Sequence, residues 1–170
     1  MLLSIVLIIL VVALDQVTKY LTVSNLDLGE TFPVIKDVLH FTYVRNEGAA
    51  FGILAEHRWV FMVVSVIGIA ALFVWLAVAK PESKWMRIGI TFVVGGGIGN
   101  MIDRFVLGYV IDMIDCRFID FYVFNAADSF VCIGCAMVIL GLIAEIIREN
   151  RRKKTAEKAP ADGAETDERD

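Results

Sequence analysis

The sequence predicts an all-α membrane protein: four transmembrane helices carrying a small extracytoplasmic β-sheet made from the first and third connections. Three observations predict it. Apolar runs of membrane-spanning length recur along the chain, Lys and Arg gather at alternate connections, and the other two connections contain β-branched and aromatic stretches. Hydrophobic residues make up 58% of the 170-residue chain, and mean hydropathy is +0.69. That is too apolar for an ordinary soluble domain, and the chain is too short for several domains.

The spans are read at about residues 1–23, 59–79, 85–107 and 128–147, since a helix crossing roughly 30 Å of hydrocarbon needs about 20 mostly apolar residues. Trp59 to Ala79 meets this outright, with Ser65 its one conventionally polar side chain. The third span is rich in glycine at Gly95, Gly96, Gly97 and Gly99, which permits close helix contact. The first opens apolar and then carries Asp15, Gln16 and Lys19; with no basic start and no small-residue cleavage site, it reads as a retained helix rather than a cleaved leader. The fourth holds Glu145 near its end.

Orientation follows from the basic residues. Lys80, Lys84 and Arg87 join spans two and three, and Arg148, Arg151, Arg152, Lys153 and Lys154 follow span four, so these sides face the cytoplasm together with both termini. The loops 24–58 and 108–127 are then extracytoplasmic. Within them, Val38 to Val44 and Cys116 to Phe124 read as strands. Residues 151–170 form a charged cytoplasmic tail with no apolar face to bury, expected to be disordered. The net charge of -4 leaves no basic footprint for nucleic acid. Cys116, Cys132 and Cys135 are odd in number, and the last two lie within an apolar run, which reads as packing rather than a disulfide scaffold or a redox pair.

Ionisable groups at membrane depth are costly unless paired or hydrated, so each marks a candidate site. At 1.5 Å per residue, Asp15 lies roughly 21 Å from Met1, and Asn100 and Asp103 lie roughly 21 and 26 Å beyond Met86. Lys19, Asp112 and Asp128 fall in the same outer stratum. Asp15 with Lys19, and Asp103 with Arg104, read as structural pairs, either within a helix or with its neighbours. Gly96, Asn100 and Asp103 share a face that reads as an interior seam. Asp112 and Asp128 differ, because neither has a base three or four residues away. A hairpin could return them to face each other, and two carboxyls so placed in a low dielectric share a proton. Spacing alone leaves Asp115 and Asp120 as competitors.

Short blocks around these acids resemble one family. They are Asp15-Gln16-Val17-Thr18-Lys19, Tyr43 to Gly52 with Arg45-Asn46-Glu47-Gly48, Gly97 to Arg104 with Gly108 to Asp112, and Phe124 to Ser129 with Asn125-Ala126-Ala127-Asp128. Together, and in this order, they are similar to the lipoprotein signal peptidases, the bacterial type II signal peptidase family. The resemblance implies an aspartyl endopeptidase that cuts prolipoproteins before a diacylglyceryl-modified cysteine, with Asp112 and Asp128 as its dyad. It implies no metal and no cofactor. Asn46, Asn100 and Asn125 are expected to bond the dyad or the substrate, while Asp15, Lys19, Asp103, Arg104 and Gly48 support the site. The expected partners are diacylglyceryl-modified signal peptides and membrane lipid. The enzyme is expected to act as a monomer in the bacterial inner membrane, its site near the extracytoplasmic face. Met113 stands where the family usually has an aromatic, which bears on pocket shape. The competing reading is a small proton-coupled transporter, for which acids should cross the bilayer rather than cluster on one side.

Overall fold

The computed structural model describes residues 1–47, 58–79, 81, 83–119 and 121–158. Its elements run α1 (Leu2–Asn25), β1 (Thr31–Ile35), β2 (Leu39–Asn46), α2 (Arg58–Ala79), α3 (Lys84–Val106), β3 (Val110–Cys116) and α4 (Ala126–Lys158). Three of the four helices, α1, α2 and α4, are long and apolar enough to cross a membrane. Their outward surfaces carry large apolar residues such as Val64 and Val78 of α2, exposure that water would penalise and lipid would not.

Helix α3 is the exception in hydropathy, because Lys84, Arg87, Asp103 and Arg104 stand at its ends. It packs against all three other helices and is extensively buried, including Ile90, Val94 and Gly96, so less of its surface has to be apolar. Ser83 caps its start, the hydroxyl accepting from the Met86 amide. Its glycines set close contacts, and two of them lie beside the site. At Gly96 an added Cβ would overlap the Ala127 carbonyl of α4, and at Gly99 it would sit 2.6 Å from Asp15 Oδ2 of α1. The apolar core of the bundle joins Ile8, Leu76, Met86, Ile90 and Val94.

The strands form one antiparallel sheet in the order β1-β2-β3, drawn from the first and third connections. Strand β2 is where the β-branched run predicts it. Two strands differ from expectation. The third connection pairs through Val110–Cys116 rather than through Cys116 to Phe124; of that expected stretch Cys116 ends β3 opposite Leu39, and Phe124 makes an isolated bridge to Ile114. The acids of Val110–Cys116 disguise it as loop; in the fold Asp112 and Asp115 are buried with partners, which satisfies their charge. Strand β1 contains Pro33, which an edge strand tolerates. Helix α4 continues to Lys158, so residues 151–158 of the expected disordered tail are helical. Good helix formers and a Glu149–Lys153 pair at 2.8 Å carry it onward.

Candidate active site

The site is assembled at the start of α4. Asn125 immediately precedes the helix and is completely buried. Its Oδ1 accepts from the Asp128 amide at 2.9 Å, and its own amide donates to Asp128 Oδ2 at 3.2 Å. This reciprocal exchange is a capping box with Asp in place of Glu, and it fixes the Asp128 carboxyl in the first turn, where the helix dipole favours negative charge. The candidate acid Asp128 is therefore also part of the cap.

Asn125 uses its remaining amide hydrogens outward from the helix. Nδ2 donates to Asp112 Oδ1 at 2.6 Å and to Asn100 Oδ1 at 3.0 Å. Asp112 projects from β3, and Asn46, at the end of β2, donates Nδ2 to its other oxygen at 3.0 Å. Asn46 and Asp112 meet because β2 and β3 pair antiparallel with Val44 opposite Asp112 and Asn46 opposite Val110, which puts both side chains on one face. Burial lifts the Asp112 carboxyl to about 6, and the Asp128 charge adds to the rise, while the bonds from Asn46 and Asn125 pull the other way.

Asn100, on α3, completes the ring. Its Nδ2 donates to Asp128 Oδ1 at 2.7 Å, and its Oδ1 accepts from Lys19 Nζ at 3.1 Å. Lys19 is 2% exposed and spends its other two hydrogens on Asp15 Oδ2 at 2.8 Å and Asp103 Oδ2 at 2.9 Å. All three of its donors are thus used in the interior. Asp15 Oδ1 in turn accepts from the Ala127 amide at 3.0 Å, and Asp103 Oδ2 from the Ile111 amide at 3.1 Å. The two carboxylates flanking Lys19 therefore hold the backbone one residue before Asp128 and one residue before Asp112.

The predicted residues come together here, apart from Gly48, which lies outside the described residues. The Asp15–Lys19 pair is present as its spacing suggests. Asp103 finds its cation across the helix interface in Lys19, while Arg104 Nη1 donates to the Asn100 carbonyl at 3.2 Å. Sequence reasoning gave no role to Gln16, whose Nε2 lies 2.9 Å from Asp103 Oδ1, 3.2 Å from Asp15 Oδ2 and 3.3 Å from the Gly99 carbonyl. A lone amide beside a membrane-depth acid was the available signal. Asp115 is occupied elsewhere, accepting from Thr42 Oγ1 at 2.6 Å and pairing with Arg117 at 2.7 Å. Met113 is buried against Tyr43 and Ile111.

Two carboxyls tied to one asparagine, with that of Asp112 lifted by burial, can serve general acid–base hydrolysis. Known proteins carry the same arrangement of chain. The family described as signal peptidase (SPase) II matches residues 7–144. Lipoprotein signal peptidases of Streptococcus pyogenes serotypes M5 (strain Manfredo) and M18 (strain MGAS8232) are each 42% identical over 137 residues, covering 81% of this chain and 90% of theirs. Among solved structures, a bacterial membrane enzyme determined by the in meso method at 2.3 Å superposes with a TM-score of 0.78 at 34% identity, covering 94% of this chain and 93% of that one. A second, at 1.9 Å, gives 0.76 at 37% identity over 82% and 91%.

Proposed function

The chain belongs to the signal peptidase II family, and from that premise we propose that it is an aspartyl endopeptidase that removes signal peptides from prolipoproteins, cutting before the diacylglyceryl-modified cysteine. The observation that carries the aspartyl reading is Asn125, which holds Asp112 and Asp128 at once.

With one proton shared by the dyad, the ionised carboxylate takes a proton from water as its oxygen attacks the scissile carbonyl. The protonated partner donates to the developing oxyanion. The proton taken from water then passes to the leaving amine, the carbonyl re-forms, and the dyad is left with one proton again. Asp112, lifted by burial, is a natural holder of that proton. Asn46 and Asn100 keep the two carboxyls oriented through the cycle, Lys19 holds Asn100, and Asp15 and Asp103 hold the strand and helix that bear the dyad.

In this reading all four helices span the bacterial inner membrane, with both termini cytoplasmic and the sheet and dyad at the extracytoplasmic face. The basic residues after α4 and between α2 and α3 support that orientation. A diacylated cysteine keeps its acyl chains in the outer leaflet, so its scissile bond lies at that depth. A proton-relay transporter is disfavoured, since Asp15, Asp103, Asp112 and Asp128 form one cluster and Glu145 is exposed far along α4.

The test is to incubate the purified protein in detergent with one prolipoprotein, either bearing or lacking the diacylglyceryl group, and to identify the new N-terminus by mass spectrometry. A lipidated cysteine at the new terminus, formed only from the modified substrate, is expected. Equal cleavage of both forms, or a cut elsewhere, would overturn the substrate assignment.

A further inference from the structure

A groove of about 650 Å³ lies between the C-terminal end of α1, the sheet and the start of α4. That volume is in the range of small-molecule sites. Its floor is a row across all three strands, with Phe32 opposite Phe41 and Phe41 opposite Ile114. Phe32 is 58% exposed and Phe41 41%, so two large rings are left uncovered at the groove.

The α1 side has polar residues, each of which turns a donor back onto its own helix. Thr18 Oγ1 donates to the Asp15 carbonyl at 2.8 Å, Thr22 Oγ1 to the Thr18 carbonyl at 2.9 Å, and Asn25 Nδ2 to the Leu21 carbonyl at 2.7 Å. With these donors engaged by their own helix and the rest of the lining supplied by residues such as Leu26, Phe32, Phe41 and Ile114, the groove suits a mainly apolar occupant.

Two relationships identify that occupant. The groove is continuous with the exposed apolar stripe Leu14, Val17 and Leu21 of α1, the flank of a membrane-length helix, so a hydrocarbon chain can enter sideways without crossing water. Its inner wall includes Met113 and Ala126, the chain neighbours of Asp112 and Asn125. We propose that this groove is the subsite for one acyl chain of the diacylglyceryl group on the substrate cysteine. This rests on the substrate reading above and deepens it. A bulk phospholipid chain has the same chemistry, but only a chain tethered to the scissile residue gains from a wall that adjoins the dyad. Filling the groove withdraws Phe32 and Phe41 from the interface and anchors the cysteine beside the carboxyls.

The experiment compares substrates with long and short acyl chains on the same prolipoprotein, for the wild type and for Thr18→Phe and Leu21→Trp, which intrude on the groove from α1. The quantity read is the ratio of kcat/KM for long over short chains, which cancels any general damage to a variant. For the wild type a ratio of roughly tenfold or more is expected, what withdrawing about two methylene groups from water supplies. In both variants it should fall toward one, chiefly through KM for the long-chain substrate. A wild-type ratio near one, or a ratio kept in both variants, overturns the proposal. So does an equal slowing of both substrates that added phospholipid reverses, which would mark a bulk-lipid site. Failure of the wild type to prefer lipidated over unlipidated substrate is a separate outcome, and that one overturns the substrate reading itself.

Discussion

Asn125 and Asp128 cap each other: the Asn125 side chain accepts from the Asp128 amide while the Asp128 carboxylate accepts from the Asn125 amide. The amide nitrogen of the same side chain holds Asp112. Asn125→Asp keeps the cap acceptor and removes the donor to Asp112, so its kcat should fall by about 100-fold, the effect of roughly an ångström of misplacement. Asn125→Ala should lose similar activity and also about 1 kcal/mol of stability through the cap. Steady-state kinetics beside thermal unfolding in detergent checks both; Asn125→Asp at wild-type turnover would remove the bridge from the mechanism.

Lys19 is enclosed by Asp15, Asp103 and Asn100. Lys19→Met leaves two buried carboxylates without their cation and should cost about 3–5 kcal/mol. Adding Asp103→Asn to that variant should recover part of the loss, because it removes one of the stranded charges. Thermal unfolding of the two single variants and the double variant measures the coupling, and additive effects would show that the pair does not act as a unit.

Gly99 faces Asp15 Oδ2 closely enough that a methyl group would sit 2.6 Å from it. Gly99→Ala should therefore push α1 from α3 and destabilise by about 1–3 kcal/mol. Unfolding at the wild-type temperature would show that α1 yields at no cost.

Loss of the last dyad proton should end activity as pH rises. With Asp112 at about 6 in the free enzyme, kcat/KM should decline above that region. Asn46 donates to the ionised form of Asp112 and so lowers its pKa. Asn46→Ala removes that donor, and the decline should move to higher pH. A pH–rate profile of the variant reads the shift, and movement to lower pH would contradict the assigned hydrogen bond.

The helices were legible because a bilayer sets a length for each apolar run, and the meeting of Asp112 with Asp128 through Asn125 was legible because both acids lack local bases and sit in blocks that resemble one family. Lys19 with Asp15 was visible as a spacing of four. Lys19 with Asp103 was not, because contacts between helices leave no periodic trace in either helix. Strand β3 was hidden by its own acids: Asp112 and Asp115 look solvated until Asn46, Asn125, Thr42 and Arg117 are seen around them. Strand β1 was hidden by Pro33, which is admissible because β1 is the edge of the sheet among the described residues. The continuation of α4 through its basic stretch came from local helix propensity, which a reading by hydropathy passes over.

The most direct measurement is turnover of a diacylated prolipoprotein by Asp112→Asn and by Asp128→Asn, with Asp115→Asn as the control acid bound to Thr42 and Arg117. Each dyad variant should keep the helical content and detergent stability of the wild type while its cleavage drops to background, and Asp115→Asn should retain substantial activity. Near-normal turnover by either dyad variant, or inactivity confined to Asp115→Asn, would contradict the assignment of bond cleavage to Asp112 and Asp128.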